Sequence, residues 1–205
     1  MNISELLVNG KHLLKDIEDG NIKARILLEY ILKLSREKIV SNPNIEVSDN
    51  NVESYLNKIN DIKNGMPIQY ITNKQEFMKL NFYVDKNVLI PQPDTEILVE
   101  KAIEICNNHG NDIKILDLCT GSGAIGISIA KNIKNAKVYA TDIKNTVIDI
   151  AKQNAKQNNV DNIEFIVSDM FENIQEKDFD IIVSNPPYIP TKDISKLDKN
   201  VRECD

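Results

Sequence analysis

The amino-acid sequence predicts an α/β protein, with a parallel sheet flanked by helices and preceded by a small all-helical domain and a β-hairpin. Three observations carry that reading. Apolar residues recur at helical spacing over roughly the first seventy positions, then alternate, then gather into short runs separated by amphipathic stretches of helix length. A glycine-rich turn, Gly121-Ser122-Gly123-Ala124-Ile125-Gly126, follows one of those short runs and opens a helix. A later run, Phe179 to Ser184, ends directly on Asn185-Pro186-Pro187-Tyr188.

Ser4 to Asp19 and Ile22 to Arg36 read as amphipathic helices, because Leu6, Leu7, Leu13, Leu14 and Ile17, then Ile26, Leu27, Tyr30, Ile31 and Leu34, share one face each. Ser4 and Asp19-Gly20-Asn21 punctuate them. Asn42-Pro43-Asn44 marks a loop, and Val52 to Ile62 is a further helix closed by Asn64-Gly65. Residues 1–72 thus form a helical domain, either a packing module or a docking surface for a partner protein. From Lys74 to Ile90 the pattern alternates through Phe77, Leu80, Phe82, Val84, Val88 and Leu89. With Asp85-Lys86-Asn87 as the turn, residues 73–93 read as a hairpin linker. Pro91 and Pro93 stop the strand, and Asp94 or Thr95 can cap a helix to Asn107, since a short side-chain oxygen satisfies free amide hydrogens there.

Within 94–205, strands are expected at Ile113–Leu118, Lys137–Thr141, Ile163–Val167 and Phe179–Ser184, with helices at Ala124–Asn132 and Thr146–Asn158. Such alternation implies a parallel sheet covered by helices on both faces. Ile181, Ile182 and Val183 are apolar in succession, which suits a sheet interior. Further strands are therefore expected beside them, and a chain ending at Asp205 is expected to be a fragment with a partly formed pocket.

Composition excludes several functions. The 205 residues hold one large domain or two small ones, and 41% hydrophobic content in periodic clusters gives a packed core. Net charge is −6, with 9 basic and 10 acidic residues up to Thr72 and 16 and 21 after it, so neither part carries the positive excess that nucleic acid favours. Cys106, Cys119 and Cys204 have no disulfide or metal spacing, which fits a reducing cytoplasm. His12 and His109 are isolated, so no metal site is expected. No window has membrane-spanning length, and no signal peptide is expected.

The glycine turn matches G-x-G-x-x-G, and Asp142 stands about 20 residues beyond it at the end of the next strand, where a carboxylate accepts from both hydroxyls of a ribose. That much leaves a nicotinamide dehydrogenase open. Asp117 and Thr120 shift the balance, because a carboxylate just before the turn repels a pyrophosphate and suits the cationic end of S-adenosylmethionine; it can also hold the turn through backbone amides. Asp169-Met170 follows the third strand, where the carboxylate can accept from an adenine amine and the thioether can pack on its ring, or Asp169 simply caps a turn.

Asn185-Pro186-Pro187-Tyr188 is the catalytic candidate. An amide nitrogen is a poor nucleophile because its lone pair is delocalised. The Asn185 side-chain oxygen and the Pro186 carbonyl can accept from one NH₂ group, orienting the nitrogen and polarising it as it gains positive charge. Tyr188 offers a flat face to a planar substrate, and Pro186 and Pro187 hold the acceptors ready. Methyl transfer from S-adenosylmethionine to a planar, nitrogen-bearing group follows from this pattern.

These motifs resemble the class I S-adenosylmethionine-dependent methyltransferases and, more narrowly, the peptide chain release factor N5-glutamine methyltransferase family. The resemblance runs from Asn64 onward through Gly65-Met66-Pro67-Ile68-Gln69-Tyr70-Ile71, Glu76-Phe77, Val88-Leu89-Ile90-Pro91-Gln92-Pro93-Asp94-Thr95-Glu96, the Asp117 turn and Val183 to Ile189. The proline-flanked segment around Asp94 discriminates, since nucleic-acid methyltransferases with the same Asn-Pro-Pro-Tyr stretch usually lack it. The resemblance implies a Rossmann-like catalytic domain over 94–205 that methylates the glutamine of the Gly-Gly-Gln loop in class-1 release factors, its partners, and forms S-adenosylhomocysteine. It implies cofactor contacts at Cys119, Thr120, Gly121, Ser122, Gly123, Asp142, Met170 and Asn185, and substrate contacts at Asn185, Pro186, Pro187 and Tyr188. Gln92 stands where the family usually has arginine, and family members continue beyond the point where this chain stops. An adenine N6-methyltransferase uses the same four-residue logic, but the acidic balance and the lack of a basic, aromatic-laced recognition segment count against it. A non-catalytic cofactor-binding or release-factor-binding module is the remaining alternative.

Overall fold

The structure is a computed structural model that describes residues 1–109 and 112–187. The chain divides into two compact units, Met1–Thr72 and Asn73–Asp205.

The first unit is helical: α1 (Ile3–Leu13), α2 (Gly20–Leu32), α3 (Arg36–Ser41), α4 (Asp49–Lys63) and α5 (Ile68–Thr72). Asn2, not Ser4, starts α1. Its side chain accepts from the Glu5 amide at 2.9 Å while the Glu5 carboxylate accepts from the Asn2 amide at 3.0 Å, a reciprocal capping box. Both expected long helices end early: α1 closes at Leu13, where the Leu14 amide donates back to the Gly10 carbonyl, and α2 closes at Leu32, where Lys33 adopts left-handed backbone. Ser35 then accepts from the Lys38 amide and starts α3, a short helix that the sequence pattern does not predict. Leu6, Leu14, Leu27, Leu28, Tyr55 and Ile59 fill the core, and the Tyr55 hydroxyl donates to the Ala24 carbonyl at 3.0 Å.

The second unit begins with a short antiparallel hairpin, β1 (Gln75–Phe77) and β2 (Leu80–Phe82). Its turn is Met78-Lys79, both at positive φ, and not Asp85-Lys86-Asn87. Neither residue type announces a turn, so the true site was invisible. The Glu96 carboxylate holds it, accepting from the Met78 amide at 2.6 Å. Asp85 instead makes a local turn, accepting from the Asn87 amide at 2.8 Å. A one-turn 3-10 helix, Pro93–Thr95, leads into α6 (Glu96–His109).

Next come β3 (Lys114–Leu118), α7 (Ala124–Asn132), β4 (Lys137–Asp142), α8 (Asn145–Gln157), β5 (Ile163–Val167) and β6 (Ile181–Ser184). The four strands pair in parallel in the order β5-β4-β3-β6. The expected helices on both faces are not what the described residues show. Residues of α6, α7 and α8 pack together with Ile115, Val138 and Val183 on one face. Leu116, Leu118 and Tyr139 on the other are covered by Ile166, Ile174 and Phe179, the last two from the segment between β5 and β6. Among the described residues β6 is a sheet edge, with Ile182 52% exposed, so the strands expected beside Ile181–Val183 are not among the described elements. The chain winds outward from β3 to β5 and then returns to the other side of β3, so the strand order reverses between β3 and β6. In open parallel sheets that switch point opens a crevice at the carboxyl ends of the strands. The Asp117 turn follows β3 and Asn185 follows β6, which is why two distant stretches of sequence meet.

Candidate active site

The turn after β3 runs through Cys119, Thr120, Gly121, Ser122 and Gly123, with positive φ at Cys119 (59°), Gly121 (54°) and Gly123 (82°). The Thr120 amide donates to the Thr141 carbonyl at 2.8 Å and the Gly123 amide to the Thr120 carbonyl at 2.9 Å, closing the loop onto α7. Around Gly121 no atom lies within 4 Å of the position a Cβ would take, so its backbone is open to a ligand. Cys119 takes the left-handed conformation without glycine's freedom, a strained backbone of the kind that clusters at binding sites. Burial pushes its thiol pKa upward, with Asp142 and Asp117 adding to the shift, which favours the protonated thiol over the thiolate.

Asp117 is fully buried beneath the turn. Its Oδ2 accepts from the Thr120 hydroxyl at 2.6 Å and from the Gly126 amide at 2.9 Å. A Cβ on residue 126 would stand 2.9 Å from that same oxygen, so glycine is needed for the close approach. Oδ1 is buried with no partner, and burial pushes the carboxyl up to about 7, against the opposing pull of Thr120 and Gly126. Of the two roles the sequence allowed, this geometry is that of holding the turn, because the carboxylate has no exposed face with which to meet a cation.

Asp142, at the end of β4, accepts from the Gly121 amide through Oδ2 at 3.1 Å, so it braces the turn from the side. Its Oδ1 takes only a long 3.4 Å contact from the Lys144 amide, which leaves acceptor capacity. The Ser168 amide donates to the Asp142 carbonyl at 2.9 Å, bringing the loop after β5 alongside. Asp169 and Met170 are exposed on that loop, Met170 by 47%, next to the equally bare Phe171.

Asn185 is half-buried and shares a cleft with Cys119, Thr120, Gly121 and Ser122 from the turn and with Gln92 and Thr95 from the proline-flanked segment. Parallel pairing of Ser184 with Leu118 sets its height, and the Ser184 hydroxyl donates to the Leu118 carbonyl at 2.8 Å. Gln92 folds back, its Nε2 donating to the Ile90 carbonyl at 2.9 Å. Pro186 and Pro187 are exposed, and Tyr188 lies outside the described residues.

The sequence reading missed two supports. Asn154 of α8 is fully buried; its Nδ2 donates to the carbonyls of Tyr83 (3.0 Å) and Ser122 (2.9 Å), and its Oδ1 accepts from the Tyr83 amide at 2.6 Å. One side chain therefore ties the segment after the hairpin to the glycine turn. A lone asparagine on an apolar helix face was its only signal. Thr95 had been weighed as a helix cap, whereas its hydroxyl faces Asn185. Among the described residues no group of three or more His, Cys, Asp or Glu side chains is arranged to hold a metal, and no helix is long and apolar enough to cross a membrane.

Comparison with known proteins adds two family matches: the Methyltransferase small domain over residues 93–200 and the PrmC N-terminal domain over residues 5–72. A release factor glutamine methyltransferase of Clostridium acetobutylicum is 42% identical, the match covering 99% of this chain and 73% of the relative. Its counterpart in Clostridium botulinum is 41% identical over the same shares of both chains. Among solved structures, the tRNA (uracil-54, C5)-methyltransferase of Pyrococcus abyssi, in complex with S-adenosyl-L-homocysteine, is 28% identical with a TM-score of 0.45, over 56% of this chain and 28% of that one.

Proposed function

We infer the reaction from one premise: this chain belongs to the release factor glutamine methyltransferase family. It is an S-adenosylmethionine-dependent methyltransferase that methylates the glutamine of release factors. We propose that the acceptor is the N5 amide nitrogen of the Gly-Gly-Gln loop in class-1 factors, and that the reaction is cytoplasmic.

The residues present fit the cofactor. Gly121 is bare on its ligand side, and Asp142 keeps acceptor capacity on the oxygen turned away from it. The exposed Met170 offers apolar surface beyond the ends of β4 and β5, with Asp169 as a neighbouring acceptor. In this reading Cys119, Thr120, Gly121, Ser122 and Gly123 hold the cofactor by backbone, Asp142 its ribose and Asp169-Met170 its adenine. When bound, S-adenosylmethionine supplies an electrophilic methyl group on a sulfonium. Asp117 acts on all of this from below, by keeping the turn in shape.

Asn185 does the chemistry assigned to this chain. Its Oδ1 and the Pro186 carbonyl both accept from the glutamine NH₂, fixing the nitrogen's direction. As that nitrogen gains positive charge its protons become better donors, so both bonds strengthen in the transition state more than in the ground state. Pro186 and Pro187 restrict the backbone, so the acceptors need no reorganisation. Tyr188 is proposed to stack on the planar amide.

The observation that carries the reading is the meeting of Asn185 with the open glycine turn in one cleft at the switch point of the sheet. The test is transfer of a labelled methyl group to release factor, to a release factor with the loop glutamine changed to alanine, and to duplex DNA. Label is expected on the first alone; label on DNA, or on both release factors equally, overturns the assignment.

A further inference from the structure

We propose that Thr95 is a positioning residue for the reaction, holding the Asn185 amide so that its oxygen faces the substrate. This rests on the methyl-transfer reading of the same cleft.

A carboxamide is ambiguous. Rotated by half a turn, Asn185 presents an NH₂ to the glutamine NH₂, donor against donor, and the site fails. Something must choose between the two orientations. Asn185 Nδ2 donates to Thr95 Oγ1 at 3.4 Å, and among the described residues this is the one hydrogen bond of either side chain. An amide's nitrogen and oxygen lie on opposite sides of its carbon, so turning Nδ2 toward Thr95 turns Oδ1 away from it.

The placement of Thr95 supports the role. A threonine immediately before a helix ordinarily spends its hydroxyl on the free amides of the first turn. Here the hydroxyl makes no such cap and meets Asn185 across 90 residues of sequence. The frame beneath it is stiff. Pro91 and Pro93 fix their backbone φ, the Thr95 amide donates to the Gln92 carbonyl at 3.0 Å, and the next residue, Glu96, is tied to the hairpin turn. A β-branched side chain on such a frame has few rotamers to lose. The 3.4 Å length is that of a loose contact, of the kind that tightens when a substrate loads the other end of the amide.

Thr95→Val replaces the hydroxyl with a methyl of similar size, and Thr95→Ser keeps it. With release factor as substrate, Thr95→Val is expected to lower kcat about tenfold, leaving KM for release factor and affinity for S-adenosylhomocysteine within about twofold, and Thr95→Ser to recover most of the rate. A purely structural residue would instead lower stability in urea and cofactor affinity together. A second measurement needs no turnover. The Asn185 side-chain NH₂ resonances, identified by their loss in Asn185→Asp, are expected to shift and to exchange faster with water in Thr95→Val but not in Thr95→Ser. Unchanged kcat in an active Thr95→Val, no rescue by serine, or an unmoved amide resonance each overturns the proposal. Absence of transfer by the unmodified chain overturns the function instead, and the resonance still decides whether Thr95 holds the amide.

Discussion

The two stretches proposed to carry the chemistry are built in opposite ways. The glycine turn is held from several directions by groups drawn from β3, β4 and α8: Asp117 below, Asp142 beside, Asn154 behind and the Thr141 carbonyl across. Most of those partners are buried, where a hydrogen bond meets little competition from water. Asn185 directly follows β6, the edge strand of the described sheet, and among the described residues its side chain makes one long hydrogen bond. The difference matches the tasks. A turn that binds by its backbone must be fixed before the ligand arrives. An amide that acts by hydrogen bonds strengthening late needs only the correct orientation and room for its partner.

The sharpest test of the buried half is pH. Asp117 has its carboxyl raised to about 7 from an ordinary value near 3.8. Below both values the native and unfolded chains carry the proton equally, and this group's contribution to stability is greatest. As pH rises from about 4, the unfolded chain loses the proton first, so stability falls until the folded pKa is passed near 7, and then levels. The full loss has a ceiling of about 4 kcal/mol. Urea unfolding between pH 4 and pH 8, with Asp117→Asn as the reference that cannot titrate, is expected to show the wild type losing stability relative to the variant over that window. A difference independent of pH would mean that the carboxylate stays charged in the fold.

The edge half breaks differently. Asn185→Ala is expected to lower kcat about a hundredfold, the scale of one preorganised transition-state hydrogen bond, while affinity for S-adenosylhomocysteine and midpoint in urea stay close to wild type. Near-normal turnover in that variant would remove the mechanism. Asn154→Ala should do the reverse. It strands the Ser122 carbonyl and the Tyr83 amide and carbonyl, so a stability loss of about 2 kcal/mol is expected, together with weaker cofactor binding. If Asn154→Ala lowered kcat while leaving cofactor affinity intact, the division of labour between the two stretches would be false.

Much of this was legible in the sequence, for a physical reason. The limits of α7 and β5 were read directly from Ala124–Asn132 and Ile163–Val167, because short apolar runs bounded by turn residues leave the chain few choices. Glycine at 121, 123 and 126 marks backbone that other residues resist, so the turn announced itself. The hairpin did not, because Met78 and Lys79 are not residue types that favour positive φ, and the carboxylate that bonds the Met78 amide, Glu96, lies 18 positions away. Helix lengths in the first unit failed where α1 stops at Leu13 and Lys33 ends α2, neither end marked by glycine or proline. The supports of the site were the least visible part. Asn154 and Thr95 work through partners 71, 32 and 90 positions away, and no local pattern encodes such a pairing.

Asp142 gives the smallest and most discriminating effect, because it belongs to the buried frame and to the ligand surface at once. One oxygen braces the Gly121 amide and the other has capacity to spare. If the ribose takes that capacity, Asp142→Ala removes a charge-assisted hydrogen bond, which contributes about 1.5–3 kcal/mol, and affinity for S-adenosylhomocysteine should fall by about tenfold or more. If bracing is its main task, Asp142→Asn should leave binding close to wild type, since the amide can turn its oxygen to the Gly121 N–H and lose only the second acceptor. Calorimetric titration of both variants separates the cases. Asn close to wild type with Ala weakened and lower in urea midpoint points to the brace; Asn and Ala both weakened, with midpoints in urea near wild type, points to an acceptor for the ribose. Unchanged affinity in Asp142→Ala would take Asp142 out of the cofactor site and leave the turn to bind by its backbone alone.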